Sequence, residues 1–332
     1  MKNNIEKKRF LPKVVFIVGP TASGKTALGL QLAQLYNGEI INADARQIYK
    51  KFSIGTGKPI GIRKRCCGYN AYLVEVPDHL KVKKSKEQIL IPHYLMDFLP
   101  PEKAINLVDW RRYALKAIRG ITKRNHLPIV VGGTGLYIKS LIDNYAIPPV
   151  EPNLKLRESF SKKSLDYLVN VLLKLDTQAD TFVDIKNPRR VIRAIEIMTF
   201  TGKKISDLKK NKKPVIDALQ LAIKIDRMDL NKKIDENVER MIADGWVQEV
   251  ESLFNSGLKE DSSAMSSIGY REIGQYLKNK ITLEEAVQRI KIVTKQYAKR
   301  QVTWFKKDDR IHYISTIKEA QMLIDKFKKQ AD

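Results

Sequence analysis

Cysteine is nearly missing from this sequence: among 332 residues there are two, Cys66 and Cys67, side by side. Adjacent cysteines cannot staple distant loops and lack zinc-ligand spacing, so a disulfide scaffold and a zinc module are both excluded, and a reducing, intracellular setting is expected. No apolar run reaches the ~20 residues that cross a bilayer. The opening MKNNIEKKRF carries a basic patch with no apolar stretch behind it, so it does not read as a secretory leader. No repeat period is present, which excludes solenoids and arrays. Acidic residues are outnumbered, 37 against 61 lysines and arginines, for a net charge of +24. That excess suits a polyanionic partner, nucleic acid or an acidic membrane surface, and is equally what a lysine-rich surface with no local purpose would give. The reading is a soluble, cytoplasmic protein with no membrane partner. Its length is enough for a large core divided into two domains.

What is present begins at Gly19. The stretch GPTASGKT, from Gly19 to Thr26, matches the phosphate-binding pattern G-x-x-x-x-G-K-[ST]. Ahead of it, Val14 to Val18 is a β-branched apolar run that reads as a buried strand; behind it, Ala27 to Ala33 reads as a helix. In that context successive backbone N–H groups form an anion nest at a helix N-terminus. Lys25 adds a cation, and the Thr26 hydroxyl is placed to ligate Mg²⁺. An ordinary glycine turn is the bland alternative. The loop does not say which phosphate it holds.

Further strands are expected at 39–43 and 127–131, with an amphipathic helix between them near 107–124. Strand–helix–strand alternation implies a parallel sheet. Residues 61–90 read as a basic excursion from the core with strand-like pieces, of a kind a hairpin would supply. Pro148, Pro149 and Pro152 break any element there. From 147 to 214 the pattern is helical and charged, with Gly202 as a helix stop; strand character returns at 218–225, and 311–314 reads as a last edge strand. The expected fold is therefore α/β: a P-loop NTPase-like parallel sheet core, discontinuous over 12–146 and 215–332, with an inserted helical domain at 147–214. Residues 1–12 are expected to be a loose basic arm.

Four clusters carry candidate chemistry. Asp44 follows a strand, on the sheet edge where open α/β folds bind ligands; it can serve as a base or hold metal, or, with Gln47, it can cap a helix. Gly132, Gly133, Thr134 and Gly135 follow another strand, so a backbone can approach a ligand there, unless this is a plain strand-to-helix turn. Arg189 and Arg193 share one helix face, which suits phosphates, or is simply solvated. Lys299 to Trp304 interleaves cations, an amide and an aromatic as nucleic-acid surfaces do, or is an amphipathic helix with Trp304 in the core.

Together the motifs resemble the tRNA dimethylallyltransferase family, also called tRNA isopentenyltransferase. Its patterns GPTASGKT, D-S-x-Q-x-Y, I-G-T-x-K-P, P-H-H-L-I-D, V-G-G-T-x-L-Y, R-x-x-R-A-L-E, I-G-Y-[KR]-E and A-K-R-Q-x-T-W occur in order at 19–26, 44–49, 54–59, 92–97, 131–137, 190–196, 268–272 and 298–304. Ala45 replaces the usual Ser, Tyr94 the second His and Ile195 the Leu, and the 61–90 segment is longer than the family pattern. No zinc finger of the eukaryotic type follows the core, so a bacterial or organellar form is expected. The resemblance implies transfer of a dimethylallyl group from dimethylallyl diphosphate to the exocyclic amine of the adenine beside the anticodon. It implies that Gly19, Pro20, Thr21, Ala22, Ser23, Gly24, Lys25 and Thr26 hold the diphosphate, with Mg²⁺ on Thr26 and Arg227 assisting, and that Asp44 is the base. The anticodon stem-loop would be met by Asp44, Ala45, Arg46, Gln47 and Thr134; by Arg189, Arg190 and Arg193; by Ser266, Ser267, Gly269, Tyr270 and Arg271; and by Lys299, Arg300, Gln301 and Trp304. The enzyme is expected to act as a monomer. Three other readings stay open: a small-molecule kinase, which needs no arginine helix; an adenylate isopentenyltransferase, which lacks much of the RNA-binding half; and a non-catalytic RNA-binding protein, against which Lys25, Thr26 and Asp44 all argue.

Overall fold

β1 (Lys13–Val18) is buried from Val14 onward, as a strand covered on both faces must be. It lies between β6 (Leu127–Gly132) and β7 (Asp217–Ile223), parallel to both. In this computed structural model, which describes residues 11–66, 69–82, 87–144, 148, 150–208 and 213–330, β1 belongs to an eight-stranded sheet of order β3-β4-β5-β2-β6-β1-β7-β8. β2 (Gly38–Asn42), β5 (Leu90–Tyr94) and β8 (Ile311–Ile314) complete the parallel part. The P-loop fold is thus the predominantly parallel sheet that the sequence implies. Most of the expected basic arm, Cys67 and parts of the proline-rich break lie outside the described residues.

The 61–90 excursion contains a hairpin. β3 (Gly61–Cys66) and β4 (Tyr69–Glu75) pair antiparallel, and β4 pairs antiparallel with β5, so the excursion extends the sheet. α1 (Lys25–Leu35) joins β1 to β2, and α2 (Leu107–Lys123) joins β5 to β6, its first turn capped by the Asn106 side chain. α3 (Gly135–Ile142) follows β6.

The chain forms two compact units, one of residues 1–141 with 215–332 and a second, Ile142–Pro214. The second holds α4 (Leu154–Ser161), α5 (Leu165–Leu175), α6 (Pro188–Thr201) and α7 (Ile205–Leu208) around Leu168, Leu172, Val191, Ile195 and Met198. α6 starts with an Asn187 cap and Pro188 in its first turn, and stops at Gly202 with φ 66°. The remaining helices belong to the first unit: α8 (Arg227–Ala243), α9 (Trp246–Asn255), α10 (Tyr270–Leu277), α11 (Leu283–Phe305) and α12 (Ile317–Lys329).

Several family-pattern residues prove to be framework. His93 is buried in β5, and burial lowers its pKa to about 4, so it is a neutral core imidazole bonded to the Ile91 carbonyl. Tyr94, standing where the pattern has a second His, donates its hydroxyl to the buried Glu39 carboxylate, which also accepts from Nε and Nη2 of Arg124. Burial pushes Glu39 upward, but the bonds from Arg124, Tyr94 and His126 outweigh it and hold the carboxyl below its usual value.

Candidate active site

Loop 19–24 turns through the left-handed region at Gly19, Ala22 and Gly24, with φ of 136°, 62° and 88°. Glycine adopts such angles freely; Ala22 does not. Ala22 is held there by packing against the Leu230, Ile234 and Ala298 cluster of α8 and α11. The backbone N–H groups of Ser23, Gly24, Lys25 and Thr26 make no hydrogen bond to any described residue. Four unbonded donors at the start of α1 are able to receive an anion. The Ser23 hydroxyl closes the loop on the Pro20 carbonyl at 2.8 Å, and Lys25 Nζ donates to the same oxygen. Burial lowers the Lys25 ammonium to about pKa 8, while the charge of Asp44 pulls it partly back.

Asp44 lies just beyond β2. The Asn42 amide fixes its backbone: Asn42 Nδ2 donates to the carbonyls of Asp44 and Leu95, and Asn42 Oδ1 accepts from Asp44 N–H. Asp44 Oδ1 accepts from the N–H groups of Arg46, at 2.8 Å, and Gln47, at 3.4 Å. No helix follows, so the helix-cap alternative is corrected: this carboxylate closes a turn. Its Oδ2 makes no hydrogen bond among the described residues. Thr134 clamps the other side, accepting from Ala45 N–H and donating its own N–H to the Ala43 carbonyl. The approach is so close that a Cβ on Gly132 would sit 2.3 Å from the Ala43 carbonyl.

Two tyrosines not singled out in the sequence share this space. Burial raises both Tyr137 and Tyr297 to about pKa 12, followed at Tyr297 by the charge of Asp44 and at Tyr137 by Tyr49 and then Asp44. Tyr137 stacks on Trp110 at 4.1 Å between ring centroids, and Arg300 lies 5.8 Å over the Tyr297 ring. Arg227 opens α8, exposed, just past β7 and so on the same sheet edge as the loop.

Some residues that the sequence assigns to RNA make contacts within the framework. Gln301 is buried; its Oε1 accepts from Thr21 N–H at 2.8 Å and its Nε2 donates to the Gly133 carbonyl at 2.9 Å. It brackets the phosphate loop against the β6 loop. Gln47 is spent on the Thr56 and Gly57 carbonyls. Ser267 is buried on the Ala264 carbonyl, and Tyr270 is buried with its hydroxyl on Glu249. Arg193 binds Glu196 and the Val150 carbonyl, and Arg190 pairs with Asp184, leaving Arg189 as the exposed member of that trio with no such partner among the described residues. Arg46 reaches the Ser263 carbonyl and the Ser266 hydroxyl. Ala45 is half-buried, whereas Arg271, Lys299 and Arg300 are exposed. Trp304 is 41% exposed and packs over Gly135.

The Thr26 hydroxyl, in the first turn of α1, makes no hydrogen bond among the described residues; a single free oxygen fits Mg²⁺, which keeps several waters and takes one or two protein ligands beside phosphate. No group of three metal-ligating side chains occurs among the described residues, so a transition metal finds no cage among them.

Residues 81–308 match the family model described as IPP transferase, and residues 12–65 match isopentenyl transferase. A tRNA dimethylallyltransferase of Carboxydothermus hydrogenoformans is 39% identical over 316 residues, 93% of each chain. One of Acetivibrio thermocellus is 38% identical over 313 residues, 92% of each. Among solved structures, the full-length tRNA isopentenylpyrophosphate transferase of Bacillus halodurans superposes with TM-score 0.66 at 29% identity, covering 95% of this chain and 96% of that one. A eukaryotic dimethylallyltransferase acting on tRNA gives 0.69 at 30% identity, covering 88% and 69%.

Proposed function

The chain belongs to the IPP transferase family, and on that premise we propose how its own residues carry out dimethylallyl transfer to a tRNA adenine. The free amides of Ser23 to Thr26 and Lys25 hold the diphosphate of dimethylallyl diphosphate, with Arg227 approaching from α8. Thr26 would hold Mg²⁺, which supplies positive charge to the leaving oxygens. The exocyclic N6 amine of the adenine beside the anticodon attacks the donor's C1. A C–N bond forms, the C1–O bond breaks, diphosphate leaves, and the amine proton passes to Asp44. Asp44 Oδ2 is the single observation that carries this reading. One carboxylate oxygen is fixed by turn amides and the other is uncommitted, on the sheet edge that also bears the anion nest. An adenine in a stacked loop must be flipped out to arrive there; Tyr137, Tyr297 and Thr134 border its path. Arg189, Arg271, Lys299 and Arg300 are the exposed cations for the anticodon stem-loop, and the enzyme works as a monomer.

The test is label partition: labelled dimethylallyl diphosphate with tRNA, with AMP, or alone. Label in the tRNA alone supports the reading. Label in AMP would instead favour an adenylate-modifying enzyme.

Lys25 makes a second expectation. It binds anions as the ammonium, and the free site titrates near 8. A bound diphosphate favours the charged form and raises that value. Affinity for inorganic diphosphate should hold up to about pH 8 and then fall roughly tenfold per unit as pH rises toward the ordinary lysine value. Further ionisation of diphosphate works the other way and is shared by Lys25→Arg, which does not titrate. Calorimetry of both proteins across pH 7–10 checks this; identical profiles would remove Lys25 from the anion site.

A further inference from the structure

The β3–β4 hairpin, which extends the sheet past β5, also reaches its functional edge. Lys64 pairs with Ala71 in β4. Tyr72 pairs with His93, which puts Ala71 level with Tyr94, and Tyr94 pairs with Ile41 in β2. Lys64 is therefore level with Ile41, and Arg65 with Asn42, two residues before Asp44. Through β2, β6 and β1 the same level holds the strand ends that carry Gly132 and Gly19. Three strand steps of ~4.8 Å put β3 about 14 Å from β2.

β3 is the outermost strand, and Ile62, Arg63, Lys64 and Arg65 are exposed in succession. Arg63 is committed, donating to the Asp97 carbonyl at 2.7 Å. Beyond the backbone ladder, the Lys64 and Arg65 side chains make no hydrogen bond or ion pair among the described residues. Side chains alternate across a strand, so these two cations flank the sheet edge from opposite faces. Lysines on an edge strand commonly serve only to prevent edge-to-edge pairing. Their level here, in line with the base and the anion nest, favours a different use.

We infer that Lys64 and Arg65 form an additional phosphate-contact surface for the bound RNA, outside the motifs that the rest of the family pattern carries. This rests on the functional reading above, because it takes the RNA's target base to Asp44. A folded RNA arm seated there with its backbone toward β3 meets two cations that no described residue engages. These contacts would position the RNA without reading its sequence.

The experiment measures tRNA affinity from 50 to 300 mM salt for the wild-type chain, for Lys64→Ala/Arg65→Ala, and for Lys318→Ala/Lys326→Ala, which removes equal charge from exposed positions of α12. Label transfer, melting temperature and oligomeric state are recorded in parallel. The plot of log affinity against log salt should be shallower by about 2 in the hairpin variant, about 1 per phosphate contact, and unchanged in the α12 variant. KM for tRNA should rise, with kcat at saturating tRNA and KM for the prenyl donor preserved. An unchanged slope overturns the inference, as does equal flattening in both variants, which would report net charge alone. Self-association of the hairpin variant with an unchanged slope assigns these cations to edge protection. If the wild-type chain transfers no label to tRNA, it is the functional reading that has failed.

Discussion

Asp44→Asn should lower single-turnover transfer by roughly 10²–10⁴, or about 3–5 kcal/mol of barrier, while leaving the fold intact. The side-chain oxygen that accepts from Arg46 and Gln47 N–H survives in asparagine, so the turn keeps its closure. What is lost is the basic oxygen that makes no hydrogen bond to the rest of the site. Dissociation constants for tRNA and for dimethylallyl diphosphate should hold, because neither ground state depends on proton transfer. Asp44→Ala loses the turn as well, and should add about 1 kcal/mol of instability. A near-wild-type rate for the asparagine variant would make Asp44 a turn residue and nothing more.

The second large effect is structural. Trp246, at the start of α9, is buried between two glycines of separate motifs. A Cβ on Gly55 would meet its Nε1 at 2.0 Å, and one on Gly269 would meet its ring at 2.1 Å. Gly269 also holds φ of 90°. Gly269→Ala therefore combines overpacking of about 1–3 kcal/mol with backbone strain of about 1–3 kcal/mol. The variant should lose about 3 kcal/mol or more, read as a lower midpoint in urea with an unchanged slope. The same helix grips both motifs through Glu249, whose carboxylate accepts from Ser53, Ile54 and Gly55 N–H and from the Tyr270 hydroxyl. Gly269→Ala with wild-type stability and weaker tRNA binding would return the 266–271 segment to direct RNA contact.

These two sites differ in how far the sequence reveals them. The phosphate loop is legible because its glycines, its lysine and its flanking strand and helix are contiguous. Asp44 is legible as a residue just past a strand end. The bracket by Gln301 is not, since it joins Thr21 to a side chain 280 positions away; pattern alone reads an amide among cations as an RNA ligand. The same holds for Arg193, whose helical spacing matches Arg189 while its guanidinium belongs to Glu196. Asn42 carries a local signal, an amide two residues before the candidate base, but only the left-handed turn at Leu95, φ 58°, gives that amide its second carbonyl. Tyr137 sits inside one pattern and Tyr297 just ahead of another, and nothing short-range places either beside Asp44. The hairpin at 61–75 is visible as strand-like pieces; its level against β2 emerges only from the pairing of four strands.

The proposed function turns on prenyl transfer to an RNA base rather than phosphate transfer. It is tested most directly by incubating the chain with tRNA, tritiated dimethylallyl diphosphate and an excess of ATP labelled in its terminal phosphate, then digesting the tRNA to nucleosides. The account predicts tritium on one adenosine, beside the anticodon, with one diphosphate released per label and the ATP left whole. Terminal phosphate moved to any acceptor, or tritium recovered only as free prenyl alcohol, would contradict it.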